Sequence, residues 1–414
     1  MGRLATVAID GGDLPFGGGL LALVRPALNG MEPGGVLAVH SRTPAIADEF
    51  FTWCKLEHHE LLESSAQTGF TRLLIQKGSL GAPRGIMEIN QDLPTRAGRL
   101  DAATVLEAVP FPAKADPGTG FAPRGARVEP GGPAYPFALN DRDRTAPPDV
   151  AALYDQAVSA QWNGDTDIAW DRIKPLSPPL QQALGQIMTF LAENELSALY
   201  VPSRFIARVH PAYVEVGMFL STQLADEARH IDVFLKRARK GGGGLGISHA
   251  TTSASLHSLL MLEDFTEAAF LLSVLGEGTF LDLLRYIEVN APDEVTADIV
   301  RRARADETRH VHFGMSHVKH ALQQDPALYG RLEAAVRRRS ATLAGVNGVP
   351  AAVQDALTIL VARGIDPPSV RRGHETYREL LNVMHENRIK RLASAGFSHD
   401  QAQTLSDLHT PNFM

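Results

Sequence analysis

Hydrophobic positions change their spacing along the chain, and the changes mark three zones. In the first zone, short apolar runs at residues 34–40 and 70–75 read as strands, the former following a Pro-Gly turn. Between them residues 44–60 read as a helix. Ala45, Ala47 and Asp48 fall in its first turns, and Phe50, Phe51, Cys54 and Leu56 are spaced for a buried face. A small α+β domain over residues 1–78 is expected.

Residues 79–150 are punctuated by Gly and Pro and predict irregular chain, an arm or a linker. Phe111, Phe121, Tyr135 and Phe137 favour an arm laid on the next zone, because a solvated linker has little use for aromatic rings. From residue 151 to 414 the pattern is helical. Spacing near 3.6 runs through residues 180–205, 213–235, 256–287 and 295–322, predicting four long helices. Pro211 and Pro292 suit first turns, the glycine run at 241–244 ends the second helix, and Pro202 predicts a kink or early end in the first. Further helical patterns at 334–343, 351–363 and 370–392 precede a polar tail. The expected fold is mainly α: a four-helix bundle with extra C-terminal helices after a small α+β domain.

Composition narrows the function classes. With 40 Lys plus Arg against 47 Asp plus Glu, the formal charge of −7 argues against a nucleic-acid or membrane-surface protein. No apolar run of about 18 residues exists to span a bilayer, and the single Cys54 cannot form an internal disulfide. Asp10, Gly11, Gly12 and Asp13 interrupt any secretion signal. A cytoplasmic setting is expected.

The strongest chemical signal is a five-residue echo, Asp226-Glu227-Ala228-Arg229-His230 and Asp306-Glu307-Thr308-Arg309-His310. Residues three apart on a helix share a face about one turn apart, so each Glu and His can hold one metal. Carboxylate oxygen with imidazole nitrogen suits iron or manganese. Two such helices plus one Glu from each of two others build a carboxylate-bridged dinuclear site. Glu277 and Glu195 stand 30 and 32 residues before Glu307 and Glu227. In an antiparallel hairpin that separation returns the chain to about the same height. Glu277 is isolated within the apolar run 270–280, where an ionised group is costly unless paired or metal-bound. Glu193 and Glu195 point about 200° apart; only one can face the core, and Glu195 is the expected one.

The expected metal ligands, which are also the expected catalytic residues, are therefore Glu195, Glu227, His230, Glu277, Glu307 and His310. Asp226 and Asp306 are expected to orient the histidines, each from the opposite claw helix, with Arg229 and Arg309 offsetting the charge. Glu277 and one claw glutamate are the expected bridges, and Phe234 and Phe280 the neighbours that keep the site dry. A single Glu-x-x-His is usually a solvated helix face, but two near-identical pentads with matched glutamates outweigh that reading. His312, His317 and His320 are expected at the surface.

At these residues the chain resembles the ferritin-like carboxylate-bridged di-iron superfamily, in its oxygen-activating hydroxylase and oxidase branch, over residues 180–322. Phe190-Leu191 with Glu195-Leu196-Ser197-Ala198 looks like the first ligand helix of bacterial multicomponent monooxygenases, which favours Glu195 over Glu193, and Gly276-Glu277 is similar to their third helix. The resemblance implies two irons, with manganese or a mixed pair as alternatives, and dioxygen as co-substrate. Three positions depart from relatives in that superfamily. Leu281 stands where the monooxygenases carry Thr, Phe234 where ribonucleotide reductase small subunits place the radical Tyr, and Ala303 where arylamine N-oxygenases carry an extra His. A radical-generating role is not expected.

The first zone resembles TusA-like sulfur-carrier proteins through Met31-Glu32-Pro33-Gly34, Phe51-Thr52-Trp53-Cys54, Glu57-His58-His59-Glu60-Leu61-Leu62 and Leu73-Leu74-Ile75-Gln76-Lys77-Gly78. Gly17-Gly18-Gly19 occupies the place of that family's catalytic Cys-Pro-x-Pro, so the domain is degenerate and reads as a docking or substrate-presenting module. The expected function is a non-haem di-iron oxygenase or oxidase acting on a small or carrier-bound substrate. No nucleotide-binding Gly-rich turn follows a strand, so electrons are expected from an external reductase or ferredoxin. The alternatives are a ferroxidase or iron-handling protein and a non-catalytic metal-stabilised scaffold. A homodimer is the default expectation for association.

Overall fold

The computed structural model of the 414-residue chain describes residues 5–78, 100–112, 114–126, 128, 132–142, 145–241, 243–343 and 349–409. The protein is mainly helical and divides into two compact units.

The first unit is a four-stranded sheet with two helices. Strands β1 (Val7–Gly12), β2 (Val36–Ser41), β3 (Glu60–Gln67) and β4 (Phe70–Gln76) stand in the order β1-β2-β4-β3. β1 runs parallel to β2, and the other neighbours are antiparallel. Alternation in β2 and β4 turns Leu37, Val39, Leu73 and Ile75 to one face. There they meet Leu20, Val24 and Leu28 of α1 (Leu20–Asn29) and Ile46, Phe50, Trp53 and Cys54 of α2 (Ile46–Leu56). Cys54 is buried, and burial pushes its thiol up to about 12, so it is a small core residue rather than a nucleophile. Sequence reading found β2, α2 and β4 but not β1, α1 or β3. β1 and β3 are sheet edges with mostly exposed side chains, and so leave no clear alternation.

In the second unit, α3 (Ala102–Glu107) is capped by Asp101, and its first amides are held by Asp155 of α4 (Val150–Ser159). Much of the irregular segment is anchored to the helices. Phe111 packs on Tyr213 beneath the guanidinium groups of Arg124 and Arg142, and the Tyr135 hydroxyl donates to the Ala207 carbonyl. Phe121 and Phe137 remain exposed. Residues 79–99, also expected to be irregular, lie outside the described residues.

The bundle itself is built from α5 (Pro178–Ile206), α6 (Val214–Arg239), a broken third helix and α10 (Glu294–Gln324). The third helix is the main departure from expectation. Its pattern over 256–287 becomes α7 (Ala250–Leu260), α8 (Phe265–Ala269), a π-helical segment (Phe270–Glu277) and α9 (Gly278–Val289). Asp264 restarts the helix by accepting from the Glu267 amide. At its far end the Gly278 amide reaches the Ser273 carbonyl five residues back, the wider turn of a π-helix. The first helix also differs: α5 continues through Pro202 to Ile206. Pro202 removes only one ladder bond near the end of a long helix whose packing with α6 supplies the stability.

α5 packs along α6 and α9 along α10, giving two antiparallel hairpins. One apolar half of the bundle gathers Ala198, Phe205, Phe219, Leu271 and Phe313; the other gathers Ile187, Phe234, Phe280, Leu284 and Val300. Between these halves lies the polar layer of Glu195, Glu227, Glu277 and Glu307, each no more than 1% exposed. A buried Arg237–Asp293 pair at 2.7 Å ties the end of α6 to the start of α10. Outside the bundle, α12 (Ala351–Ala362) packs on α5 and α13 (Pro367–Ser394) on α9. α11 (Leu328–Thr342) and α14 (His399–Leu408) pack on each other. The expected polar tail is thus largely helix, because Ala402 and Leu405 find a buried face; residues 410–414 lie outside the described residues.

Gly314 on α10 faces the π segment, and a Cβ there would stand 2.6 Å from the Ser273 Cβ. Replacing Gly314 with Ala should therefore push the π segment off α10. The expected cost is about 1–3 kcal/mol, read as a lower denaturant midpoint at unchanged slope.

Candidate metal centre

The four bundle helices bring all six expected ligand residues to one point. They form two overlapping groups: Glu195, Glu227, His230 and Glu307, and Glu227, Glu277, Glu307 and His310. Within each group the ligand atoms lie within 4.8 Å of one another. Both claw glutamates, Glu227 and Glu307, belong to both groups, whereas Glu195 and Glu277 each belong to one. The carboxylates common to both groups are thus Glu227 and Glu307, while Glu277, expected as a bridge, belongs to one group. The reason is geometric, since the claw helices α6 and α10 pack against each other and place their glutamates between the two histidines.

The histidines face inward through Nδ1. His230 Nδ1 lies 3.5 Å from Glu195 Oε1 and 3.4 Å from oxygens of Glu227 and Glu307. His310 Nδ1 lies 3.0 Å from Glu227 Oε1 and 3.4 Å from Glu307 Oε2. Glu193, the rejected alternative, sits outside the cluster near Ser248 and His249, half-buried, with its carboxyl raised by burial.

Protons alone serve this cluster badly. Both oxygens of Glu227 and of Glu307, one oxygen each of Glu195 and Glu277, and Nδ1 of His230 and His310 are buried without a hydrogen-bond partner. Burial, then Glu227 and Glu307, pushes the Glu195 carboxyl well above its usual range; burial, then Glu307, does the same to Glu277. Burial alone would raise Glu227 too, but His310 and His230 outweigh it and hold that carboxyl low. Eight converging donor atoms of oxygen and imidazole nitrogen, unsatisfied in a dry core, fit a pair of cations such as iron or manganese.

Around the ligands runs a crossed network. His230 Nε2 contacts Asp306 Oδ2 at 3.1 Å, and His310 Nε2 contacts Asp226 Oδ2 at 3.3 Å, so each claw orients the other's imidazole. Arg229 bonds both aspartates, as does Arg309, with cross-helix distances of 3.0 and 3.1 Å. Hydrogen bonds from His230 and Trp162 overcome the burial of Asp306 and keep it ionised. Among the described residues two more join that sequence reading missed. Trp162 donates from Nε1 to Asp306 Oδ2 at 2.8 Å and stacks on His230 at 6.5 Å. Gln161 donates to Asp226 Oδ1 at 3.0 Å and accepts from Arg229 at 2.6 Å. Both lie in the turn after α4, where no periodicity marks them. Gln223, one turn before Glu227, donates from Nε2 to Glu277 Oε1 at 3.1 Å. Phe234 and Phe280 are buried beside this layer.

No family model and no curated protein matches the sequence. Solved structures similar to it include R2-like ligand-binding oxidases. A valine-to-isoleucine variant with an aerobically reconstituted Mn/Fe cofactor matches at TM-score 0.47 and 18% identity, over 60% of this chain and 93% of that chain. Another, with its metal cofactor after photoconversion, matches at TM-score 0.45 and 18% identity, over 60% and 92%.

Of the remaining histidines, His312 is exposed and bonded to Asp149, and His320 is half-buried. His317 is not at the surface. It is fully buried, 3.0 Å from Thr266 Oγ1 and stacked on Phe313, because it lies about two turns below His310 on the face that α10 turns inward. No helix of the described residues is long and apolar enough to cross a membrane.

Burial lowers His317 from 6.5 to about 3. The unfolded chain therefore binds the extra proton first, and the stability that neutral His317 contributes is complete above pH 6.5 and lost as pH falls. Denaturant unfolding of native protein and His317→Gln should show the native losing about 1.4 kcal/mol more per pH unit below 6.5. Asp306→Asn, which keeps the shape but removes the carboxylate behind His230, should weaken metal binding about 10–100-fold in a competition titration against a chelator.

Proposed function

We propose that the helical unit holds two transition-metal ions and uses them to activate dioxygen, oxidising a small or carrier-bound substrate. The observation that carries this reading is the pair of overlapping Glu/His groups with their buried, unpartnered ligand atoms. Glu195 and His230 would hold one ion, Glu277 and His310 the other, and Glu227 and Glu307 would lie between them. The bound pair supplies redox equivalents and Lewis acidity. Iron, manganese or one of each suits this donor set.

The chain's own residues do the rest. Asp226 and Asp306 fix the imidazole tautomers by accepting from Nε2, which leaves Nδ1 as the inward lone pair. Arg229 and Arg309 pair with both aspartates and offset their charge behind the imidazoles. Phe219 and Phe313 above, with Phe234 and Phe280 below, exclude water that would quench an oxidant. Electrons would come from an external reductase or ferredoxin. The degenerate TusA-like reading of the N-terminal unit, whose buried Cys54 offers no carrier thiol, makes that unit a candidate for presenting the substrate.

Anaerobic Fe(II) loading followed by desalting should leave about two irons per chain. Glu227→Ala should lose both, because its carboxylate belongs to both groups, while Glu277→Ala should keep one. Addition of oxygen with reductant should then oxidise the metals and consume reductant in repeated cycles. Retention of hundreds of irons per oligomer after such cycles would point instead to storage. No iron bound, or no reductant consumed, would return the bundle to a structural role.

A further inference from the structure

The two ends of the metal layer are built from a sequence repeat, yet they are not alike. Gln223 stands four residues before Glu227, and the matching position before Glu307 is Ala303. Both are buried. The Gln223 amide donates to Glu277 Oε1 at 3.1 Å, leaving Oε2 as its buried, unpartnered atom. Ala303 can offer Glu195 no such donor. Glu277 further differs in ending a π-helical segment, whereas Glu195 lies within regular helix. Gln223 and Ser273 also form the polar end of a cavity of about 20 Å³ otherwise walled by Phe205, Leu220, Leu272 and Phe313 among other apolar groups. Space of that size admits a single small molecule.

Resting on the dinuclear reading above, we propose that Gln223 is a positioning residue: by holding Glu277 through Oε1 it keeps a coordination position on the Glu277 side open to a small ligand arriving through this cavity. A carboxylate released from the amide could turn both oxygens to one metal and fill that position. Held by Oε1, it presents Oε2 alone. At the Glu195 end no side-chain amide among the described residues holds the carboxylate in this way, so the two ends differ in their readiness to take a ligand even where they hold the same metal.

The test uses the full chain loaded anaerobically with Co(II), whose visible absorption reports coordination number, and azide as the small ligand. Native protein is expected to hold about two cobalts per chain and to bind azide with a change in its absorption. Gln223→Met keeps the volume and removes the donor; it should still hold both cobalts, show the weaker absorption of a higher coordination number and bind azide at least about tenfold more weakly. Gln223→Leu, which also lacks the donor, provides the second variant and should behave alike. Unchanged azide affinity and absorption in both variants would overturn the proposal while leaving the two-metal reading intact. Loss of a cobalt from both variants, with circular dichroism unchanged, would overturn it in favour of a role in loading. Failure of the native protein to hold two cobalts would remove the dinuclear reading and the proposal with it.

Discussion

Four carboxylates and two imidazoles meet in one dry layer, and that constraint organises the rest of the helical unit. Ionised carboxylates in an apolar interior carry a desolvation cost of several kcal/mol each unless opposite charge offsets it. Among the described residues Arg229 and Arg309 bond the aspartates behind the histidines and none of the four glutamates, which leaves two imidazoles facing four carboxylates. A pair of cations would supply the counterweight, and packing holds the residues that could bind them.

That packing is divided in two. Apolar side chains fill the bundle above and below the layer, so the four helices are clamped at both ends while the middle stays polar. The crossed contacts of Asp226 with His310 and Asp306 with His230 lock α6 to α10 at the level of the ligands. Trp162 and Gln161 close the open side of this network from the turn after α4. Orientation of the imidazoles is thus shared among three segments distant in sequence, and no one helix determines it.

Near-twofold repetition in the claws is broken at the glutamates they serve. The π segment adds a residue to the turn that ends at Glu277, and Gly314 gives that wider turn the room it needs against α10. Local irregularity of this kind is costly in a helix interior and persists where surrounding contacts over-determine it. Its coincidence with Gln223 and with the apolar cavity makes the Glu277 end the chemically distinct one.

The convergence of these six side chains was legible in the sequence because helices are periodic. Glu227 and His230, or Glu307 and His310, share a face by spacing alone, and separations of 32 and 30 residues set Glu195 and Glu277 at their height. Apolar spacing likewise determined a mainly helical chain with a small sheet domain. What spacing could not determine was which carboxylates are shared: that follows from the approach of α6 to α10, a distance between elements. Nor could it find Trp162, Gln161 or the π turn, because a loop has no period and a π turn is closed by tertiary contacts. His317 shows the same limit, since a histidine at helical spacing is buried or exposed according to what packs against it, and here that is Thr266 and Phe265 of α8. The sequence by itself determined the faces of the helices; only the tertiary structure decided which faces meet, because burial depends on both partners of a contact and a helical pattern specifies one.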